Sequence, residues 1–305
     1  MNIDISRTCL TYLLFEEFEN GWCTNDFDMD RRFERNPLLQ YAAKYWGIHA
    51  RGHPETEDHT QSLILKFLHL KSSVASAAQA MFISQHRYGG YSQVHRLNNA
   101  HGLWLAAHFG LHLICKQLLA EGYLVQEQNS NGVTALHAAS REGFTDVVTL
   151  LLDNGADIVS QNSLHDSTPL HDAAKRGNAE IVELLLDRSA PINSLTHSRR
   201  TPLHEAASGG HEDVVRILLL RGADVSLKSY PAAWTALHCA VNSGKYGVIS
   251  LLLEYGASGA EQSSDEKTPF HIAVERGDET IVRQFLATNT NMHDRNMSGD
   301  APIHI

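Results

Sequence analysis

The chain is 305 residues long and 43% apolar, enough to bury one sizeable core or two and too apolar for a disordered chain. A formal charge of -10 at pH 7 lacks the basic footprint that nucleic acid and anionic lipid need, so a protein partner is the easier expectation. Apolar runs such as residues 217–220 fall far short of the ~20 residues of a membrane helix.

In chain order, residues 5–18 read as a helix apolar on most faces, and the acidic, aromatic residues 22–33 read as a loop. The apolar residues 9–15 follow Asp4 and Arg7 and run into Glu16 and Glu17, so no signal peptide is expected. Pro37, Leu38, Leu39, Ala42 and Ala43 then trace a short helix; residues 49–60 are polar enough for a loop, and residues 61–70 have the spacing of a second helix. Another helix is expected over 73–84, and a loop around Gly89 and Gly90.

From residue 101 onward the chain repeats itself. Thr168-Pro169-Leu170-His171-Asp172-Ala173-Ala174 has relatives beginning at Thr134, Thr201, Thr235 and Thr268, a blurred copy at His101 and a stub at Ala301, at spacings of 33, 34, 33, 34, 33 and 33. Thr168 can cap a helix by accepting from backbone N–H groups of its first turn, and Pro169 at N1 lacks only a donor that has no partner there. Gly110, Gly143, Gly177, Gly210, Gly244 and Gly277 fall eight or nine residues on, where a left-handed residue stops the helix. A second helix follows, with paired apolar residues such as Val147/Val148 and Leu218/Leu219. It stops at Gly122, Gly155, Gly222 and Gly256, with Ser189 and Asn289 substituting. Helices of about nine residues are marginal alone, so stacking must hold them.

This period and the Thr-Pro-Leu-His signature resemble the ankyrin repeat over about two thirds of the chain. The resemblance implies an all-α solenoid of helix-turn-helix units with short β-turn tips, preceded by an irregular helical segment. We expect residues 1–100 to form that segment, with a degenerate unit at 37–70, and residues 101–305 to hold one degenerate repeat, five clear ones and a truncated stub. The chain stops within a repeat, which leaves Ile281, Val282, Phe285 and Leu286 without a cap on this reading. A fragment of a longer protein, or an array continued in a partner, is expected.

The segment before the array is less specific. Ser6-Arg7-Thr8-Cys9-Leu10-Thr11-Tyr12-Leu13 and residues 38–51 resemble the region that joins a nucleotide-binding NACHT module to ankyrin repeats in fungal NOD-like receptors. Such receptors sense non-self or partner molecules with their repeats. This chain holds no NACHT module.

Catalytic signatures fail one by one. Gly244-Lys245 is the only Gly-Lys pair and has Cys239 where a P-loop needs its first glycine. His204-Glu205-Ala206-Ala207-Ser208 puts serine where a zinc protease needs its second histidine, and Gly256-Ala257-Ser258-Gly259-Ala260 lacks the closing glycine of a nucleophile elbow. The recurrent His137, His171, His204, His238, His271 and His304 stand one per repeat, about 10 Å apart, whereas zinc holds ligands at about 2.1 Å. They cannot share an ion, and the resemblance implies that they hydrogen-bond backbone. Cys9, Cys23, Cys115 and Cys239 have no paired spacing, which suggests neither disulfides nor zinc and fits a reducing cytoplasmic or nuclear setting. Cys115 shares a register with Val148, Val182 and Val215 and reads as a buried small hydrophobe. No catalytic, cofactor-binding or metal-binding residue is assigned.

The resemblance places a partner on the turn tips and the solvent side of the first helices, a concave surface. The aspartate that often opens the turn is replaced, on this reading, by Asn129, Ser163, Thr196, Tyr230 and Ser263. The turn glycine survives at Gly132 and Gly299, while Asp166, Arg199, Ala233 and Glu266 stand elsewhere. Two turns, before Thr168 and Thr235, carry an extra residue. This surface offers His165, His197, Arg199, Arg200, Trp234 and Lys267 from the tips, and Arg141, Lys175, Arg176, Ser208, Asn242 and Arg276 from the helices. Second helices carry Glu180, Glu183, Asp187, Glu212, Asp213 and Glu254 instead, so a basic, aromatic face on an acidic body is expected. Trp234 beside Arg200 is the expected anchor for an acidic partner surface. A non-catalytic protein-binding module is the first reading, as sensor or scaffold of a fungal NOD-like receptor. A substrate adaptor serving an enzyme such as a ubiquitin ligase is the second, and a structural spacer the third.

Overall fold

Threonine starts and left-handed glycine stops cut most of the chain into short helices that cannot stand singly, and the fold is the way these stack. The computed structural model describes residues 2–15, 18, 23, 26–82, 100–287, 295–297 and 299–301. Among them are seventeen α-helices and no strand. They pack as two compact units, Met1–Leu164 and His165–Ile305.

The first unit begins with α1 (Asn2–Leu13), α2 (Asp26–Arg35), α3 (Leu39–Ala50), a 3-10 turn (His53–Thr56), α4 (Asp58–His69) and α5 (Lys71–Phe82). Helix α1 lies against α3 and α4, and α3 against α5. Trp46 is fully buried, with Phe67 and Phe109 edge-on to its ring at 5.2 and 5.0 Å. Arg7 reaches Glu57 at 2.6 Å and donates Nε–H to Thr60 Oγ1 at 3.1 Å, while Glu57 caps α4 by accepting from the Thr60 N–H at 2.7 Å. These hydrogen bonds, from Thr60 first and Arg7 next, hold the Glu57 carboxyl at a pKa of about 2. Gln79 exchanges two bonds with the Cys23 backbone, at 2.7 and 2.8 Å.

Residues 22–33 are not all loop: α2 begins at Asp26. Its charges hide a sound helix, because Asp28 lies near its start and Arg32 and Arg35 near its end, each complementing the helix dipole. Met29 is its buried anchor, and Arg32 Nη1 donates to Ser76 Oγ. Helix α4 starts at Asp58, inside the expected loop, because the Glu57 cap starts it there. The expected loop at Gly89 and Gly90 lies outside the described residues.

The first unit closes with two helical hairpins, α6 (Gly102–His108) with α7 (His112–Ala120), and α8 (Ala135–Glu142) with α9 (Thr145–Asp153). Their first helices stack on each other, as do their second helices, and α4 packs on both α6 and α7. His101 replaces threonine as cap of α6, its Nδ1 accepting from the Trp104 N–H. Cys115 is fully buried, and burial raises its thiol far above the usual range, as expected of a packing residue.

The second unit holds four hairpins: α10 (Pro169–Arg176) with α11 (Ala179–Asp187), α12 (Pro202–Gly209) with α13 (Glu212–Leu220), α14 (Ala236–Asn242) with α15 (Tyr246–Glu254), and α16 (Pro269–Glu275) with α17 (Glu279–Ala287). First helices stack on first helices and second on second, with Leu170, Ala173, Ala174, Val182 and Leu185 and their equivalents buried between them. Each start is wired alike. Thr201 Oγ1 accepts from the His204 N–H at 3.3 Å, and His204 Nδ1 takes the Thr201 N–H at 3.2 Å and lies 2.8 Å from Thr201 Oγ1. With Nδ1 accepting, Nε2 carries the proton and donates it to the Trp234 carbonyl of the next turn at 2.9 Å. His171, His238 and His271 donate in the same way to the carbonyls of Arg200, Lys267 and Asp300. Every one of these histidines thus fastens its repeat to the following one.

The stops fall where the sequence placed them. Gly177 has φ of 78°, and an added Cβ would meet His211 Nδ1 at 2.5 Å. That ring cannot easily retreat, because its Nε2 lies 3.0 Å from the Lys175 carbonyl. Ser189 adopts a positive φ of 67° in place of glycine, as its register requires; Asn289 lies outside the described residues. Ile281 and Phe285 are not bare as expected. Both point inward and are fully buried, Phe285 packing 5.6 Å from Phe270, and Leu286 is the exposed member at 47%. The stub contributes a turn, with Ala301 buried and the Asp300 carbonyl closing the His271 bond.

Candidate partner-binding face

The turn tips are built from one small hydrogen-bonded loop. The Thr196 N–H donates to the Arg200 carbonyl at 3.0 Å, the Arg199 N–H to the Thr196 carbonyl at 2.8 Å, and Thr196 Oγ1 accepts from the Arg200 N–H at 3.0 Å. Asn129, Ser263 and Asn296 use a side-chain oxygen in the same way on Val133, Lys267 and Asp300. The opening register therefore demands a short side chain with an oxygen, which asparagine, threonine or serine supplies as well as aspartate.

This corrects two assignments. The N–H groups of Ser163, His197, Tyr230 and Ser264 donate to carbonyls of the preceding tip, Asn131, His165, Ser198 and Ala232, at 2.7 to 2.9 Å. Those four share one register, so the openers are Asn162 and Ser229, not Ser163 and Tyr230. The extra residue is absorbed after the opener: Ser229 bonds across to Trp234, where Thr196 bonds to Arg200. A period measured between threonines cannot show on which side of the opener an insertion lies.

Within the second unit, Asp166, Arg199, Ala233 and Glu266 all hold left-handed backbone at φ of 52° to 57°, the register filled by Gly132 and Gly299 elsewhere. A side chain costs about 1–2 kcal/mol in that conformation, so these tips carry strain that glycine would remove.

The candidate residues divide into two groups. His165, His197, Arg199, Lys175 and Arg176 are exposed, and His197 Nδ1 lies 3.8 Å from Asp166. Arg200 instead lies back along its own helix. Its Nε donates to Glu205 at 2.6 Å, Nη2 to Ser208 Oγ at 2.8 Å and to the His204 carbonyl at 3.1 Å, and Nη1 reaches Cys239 Sγ at 3.5 Å. Lys267 repeats the gesture onto Glu275 at 2.7 Å. Trp234, at the equivalent position, lays its ring nearly parallel to that of His238, 6.4 Å between centroids and 14° between planes, and stays half exposed. Arg200 and Trp234 therefore meet neighbouring residues of α14, Cys239 and His238. Arg276 donates to the carbonyl of the exposed Asn242 at 2.6 Å, and Arg141 is half-buried on α8 of the first unit.

Sequence reasoning missed Glu205 and Glu275, which hold these two cations. The signal was present: a glutamate five or eight residues after the residue that precedes the helix cap. It also missed Tyr230, 67% exposed at a tip. The histidines of the array face the chemistry of burial instead. Desolvation first, then the Arg200 charge, lowers His204 to a pKa of about 4 despite the Trp234 carbonyl, and burial and Lys228 lower His238 likewise to about 4. Among the described residues no group of three His, Cys, Asp or Glu side chains is arranged to hold a metal ion, and no helix is long and apolar enough to cross a membrane.

Known proteins resemble this chain through its repeats. The family model for ankyrin repeats matches three times, over residues 64–162, 160–229 and 226–296. Mouse protein phosphatase 1 regulatory subunit 27 is 41% identical over 73 residues, which cover 24% of this chain and 47% of that protein. Alpha-latrotoxin-Lt1a of Latrodectus tredecimguttatus is 30% identical over 73 residues, 23% of this chain and 5% of the toxin. The chain thus spans less than half the length of either. The crystal structure of the human ASB11 ankyrin repeat domain superposes with a TM-score of 0.61 at 29% identity, covering 66% of this chain and 90% of that one.

Proposed function

Because the chain belongs to the ankyrin-repeat family, we propose that it is a non-catalytic module that binds another protein through the turn tips and first helices of residues 165–301. The observation that carries this is the strain at the tips. Four successive turns keep a side chain where glycine would relax the backbone, and three of the four are charged. A spacer has no use for them. His165, His197, Arg199, Lys175, Arg176 and Trp234 are the contact residues, with Trp234 as the apolar anchor; Arg200 and Lys267 shape the face beneath it.

Sensor or scaffold of a fungal NOD-like receptor is the role we assign, supported by the likeness of residues 6–13 and 38–51 to the segment that precedes the repeats in those receptors. The adaptor reading has one support of its own, that a matched relative is a regulatory subunit of an enzyme, protein phosphatase 1.

Affinity capture with the chain and with the Trp234→Ala/Arg199→Glu variant tests the binding face. Partners held by the parent chain and released by the folded variant are expected; an identical captured set would remove this reading. A ligase subunit retained through residues 1–100 would favour the adaptor over the receptor.

A further inference from the structure

Charge on the tip face of the second unit is not uniform but runs in one direction. Over α10 and α12 the exposed charges are Lys175, Arg176 and Arg199, opposed at the tips by Asp166, which sits beside His197. Arg200 adds nothing outward, because Glu205 holds it. The α14 turn carries no charge: Tyr230, Pro231, Ala232, Ala233 and Trp234 follow one another, with Tyr230 67% exposed. At the α16 turn the sign reverses. Asp265 and Glu266 are exposed at the tip and Glu275 engages Lys267, so the tip is acidic, while the exposed Arg276, at the register of Arg176, stays a cation on α16 that donates Nη1 sideways to the Asn242 carbonyl. In the last turn the exposed Asp300 stands at the register of Arg200 and Lys267, and the exposed Arg295 before it folds Nη1 onto the Gly299 carbonyl.

Resting on the partner-binding reading above, we infer that the contacted element is a bipolar protein segment: carboxylates at the end that meets α10 and α12, an aromatic or other apolar residue over Trp234 and Tyr230, and lysine or arginine at the end that meets α16. Complementary charge fixes register and direction in an interface more than it adds affinity, and this order of tip charges favours one direction over the other. Stacked layers lie about 10 Å apart, so the face spans about 30 Å, the reach of about nine extended residues. A segment acidic along its whole length, as a uniformly basic face would select, meets Glu266 and Asp265 at its far end and is rejected there.

Arg199 and Glu266 occupy the same register two repeats apart and share the same backbone conformation. Exchanging them, Arg199→Glu with Glu266→Arg, cancels the charge difference between the two ends of the face without altering net charge, so long-range steering is held constant. The test selects 12-residue peptides from a displayed random library against the full chain, then measures the recovered peptides by fluorescence anisotropy on the parent and on the exchanged variant, both checked for fold by circular dichroism. Recovered peptides are expected to segregate acid and base to opposite ends and to lose at least 10-fold in affinity on the exchanged variant. Peptides of one sign throughout, or peptides indifferent to the exchange but weakened by Trp234→Ala, would overturn the bipolar segment and leave the binding face standing. An absence of binders, or binders indifferent to Trp234→Ala and to the exchange alike, would count against the face itself.

Discussion

The four hairpins of the second unit and the helices that open the first solve the same problem by opposite means. In the array, one set of bonds is used again at every repeat: threonine to histidine, histidine to the next carbonyl, opener oxygen to the closing N–H. In residues 2–82 every tie is used once, among them the Arg7–Glu57–Thr60 node, the Gln79 bridge to Cys23 and Trp46 between two phenylalanines. Glu55 is another: buried, it accepts from the Ile114 N–H at 3.1 Å and so caps α7 from the 3-10 turn. Repetition shares stability among many similar bonds, and single use concentrates it in a few.

Trp46→Ala attacks the concentrated kind. Removing a fully buried indole is expected to cost about 3–5 kcal/mol, read as a lowered urea midpoint of the first unit. Acid attacks the shared kind. His204 and His238 titrate near 4 when folded and near 6.5 when unfolded, so the unfolded chain binds more protons between those values. Their contribution is complete above pH 6.5 and shrinks as the pH falls towards 4, by about 2 kcal/mol for each between pH 7 and 5. The Glu57 node behaves otherwise, because its pKa is depressed: it stays intact down to about pH 4.5 and is lost as the pH falls towards 2. Urea titrations at pH 7 and 5, followed by hydrogen exchange in each unit, should show the array loosening while the Arg7–Glu57 contact persists.

Two glycine stops sharpen the contrast between shared geometry and local surroundings. Gly177→Ala meets both the left-handed backbone and the His211 ring and should cost about 3 kcal/mol, whereas Gly222→Ala has open space around it and should cost about 1 kcal/mol. Calorimetric midpoints of the two variants give the comparison. The smallest effect has the opposite sign: Ala233→Gly relaxes a strained tip and should raise stability by about 0.5–1 kcal/mol, with no change in circular dichroism.

The same division explains what the sequence disclosed. Helix starts, stops and the burial of Cys115 follow from residues that recur at a fixed period, so each copy corroborates the others. Helix α2 is legible only through Met29 and its charge order, since seven acidic or basic residues out of ten mask one buried anchor. Arg200 and Lys267 sit at positions that look exposed by register, and only their distance to Glu205 and Glu275, which depends on how a side chain folds back over a helix, shows that they are half-buried and paired.

The bond from each capping histidine to the following carbonyl makes the array directional in its assembly. A hairpin's wiring is finished by its successor, so α16 depends on a backbone atom of Asp300, beyond its own hairpin. Excising or duplicating units in whole multiples, cut at the same phase, leaves every imidazole with an acceptor. A cut between Ala287 and Asp300 leaves every described helix intact and yet strands one ring nitrogen, and fraying should begin there.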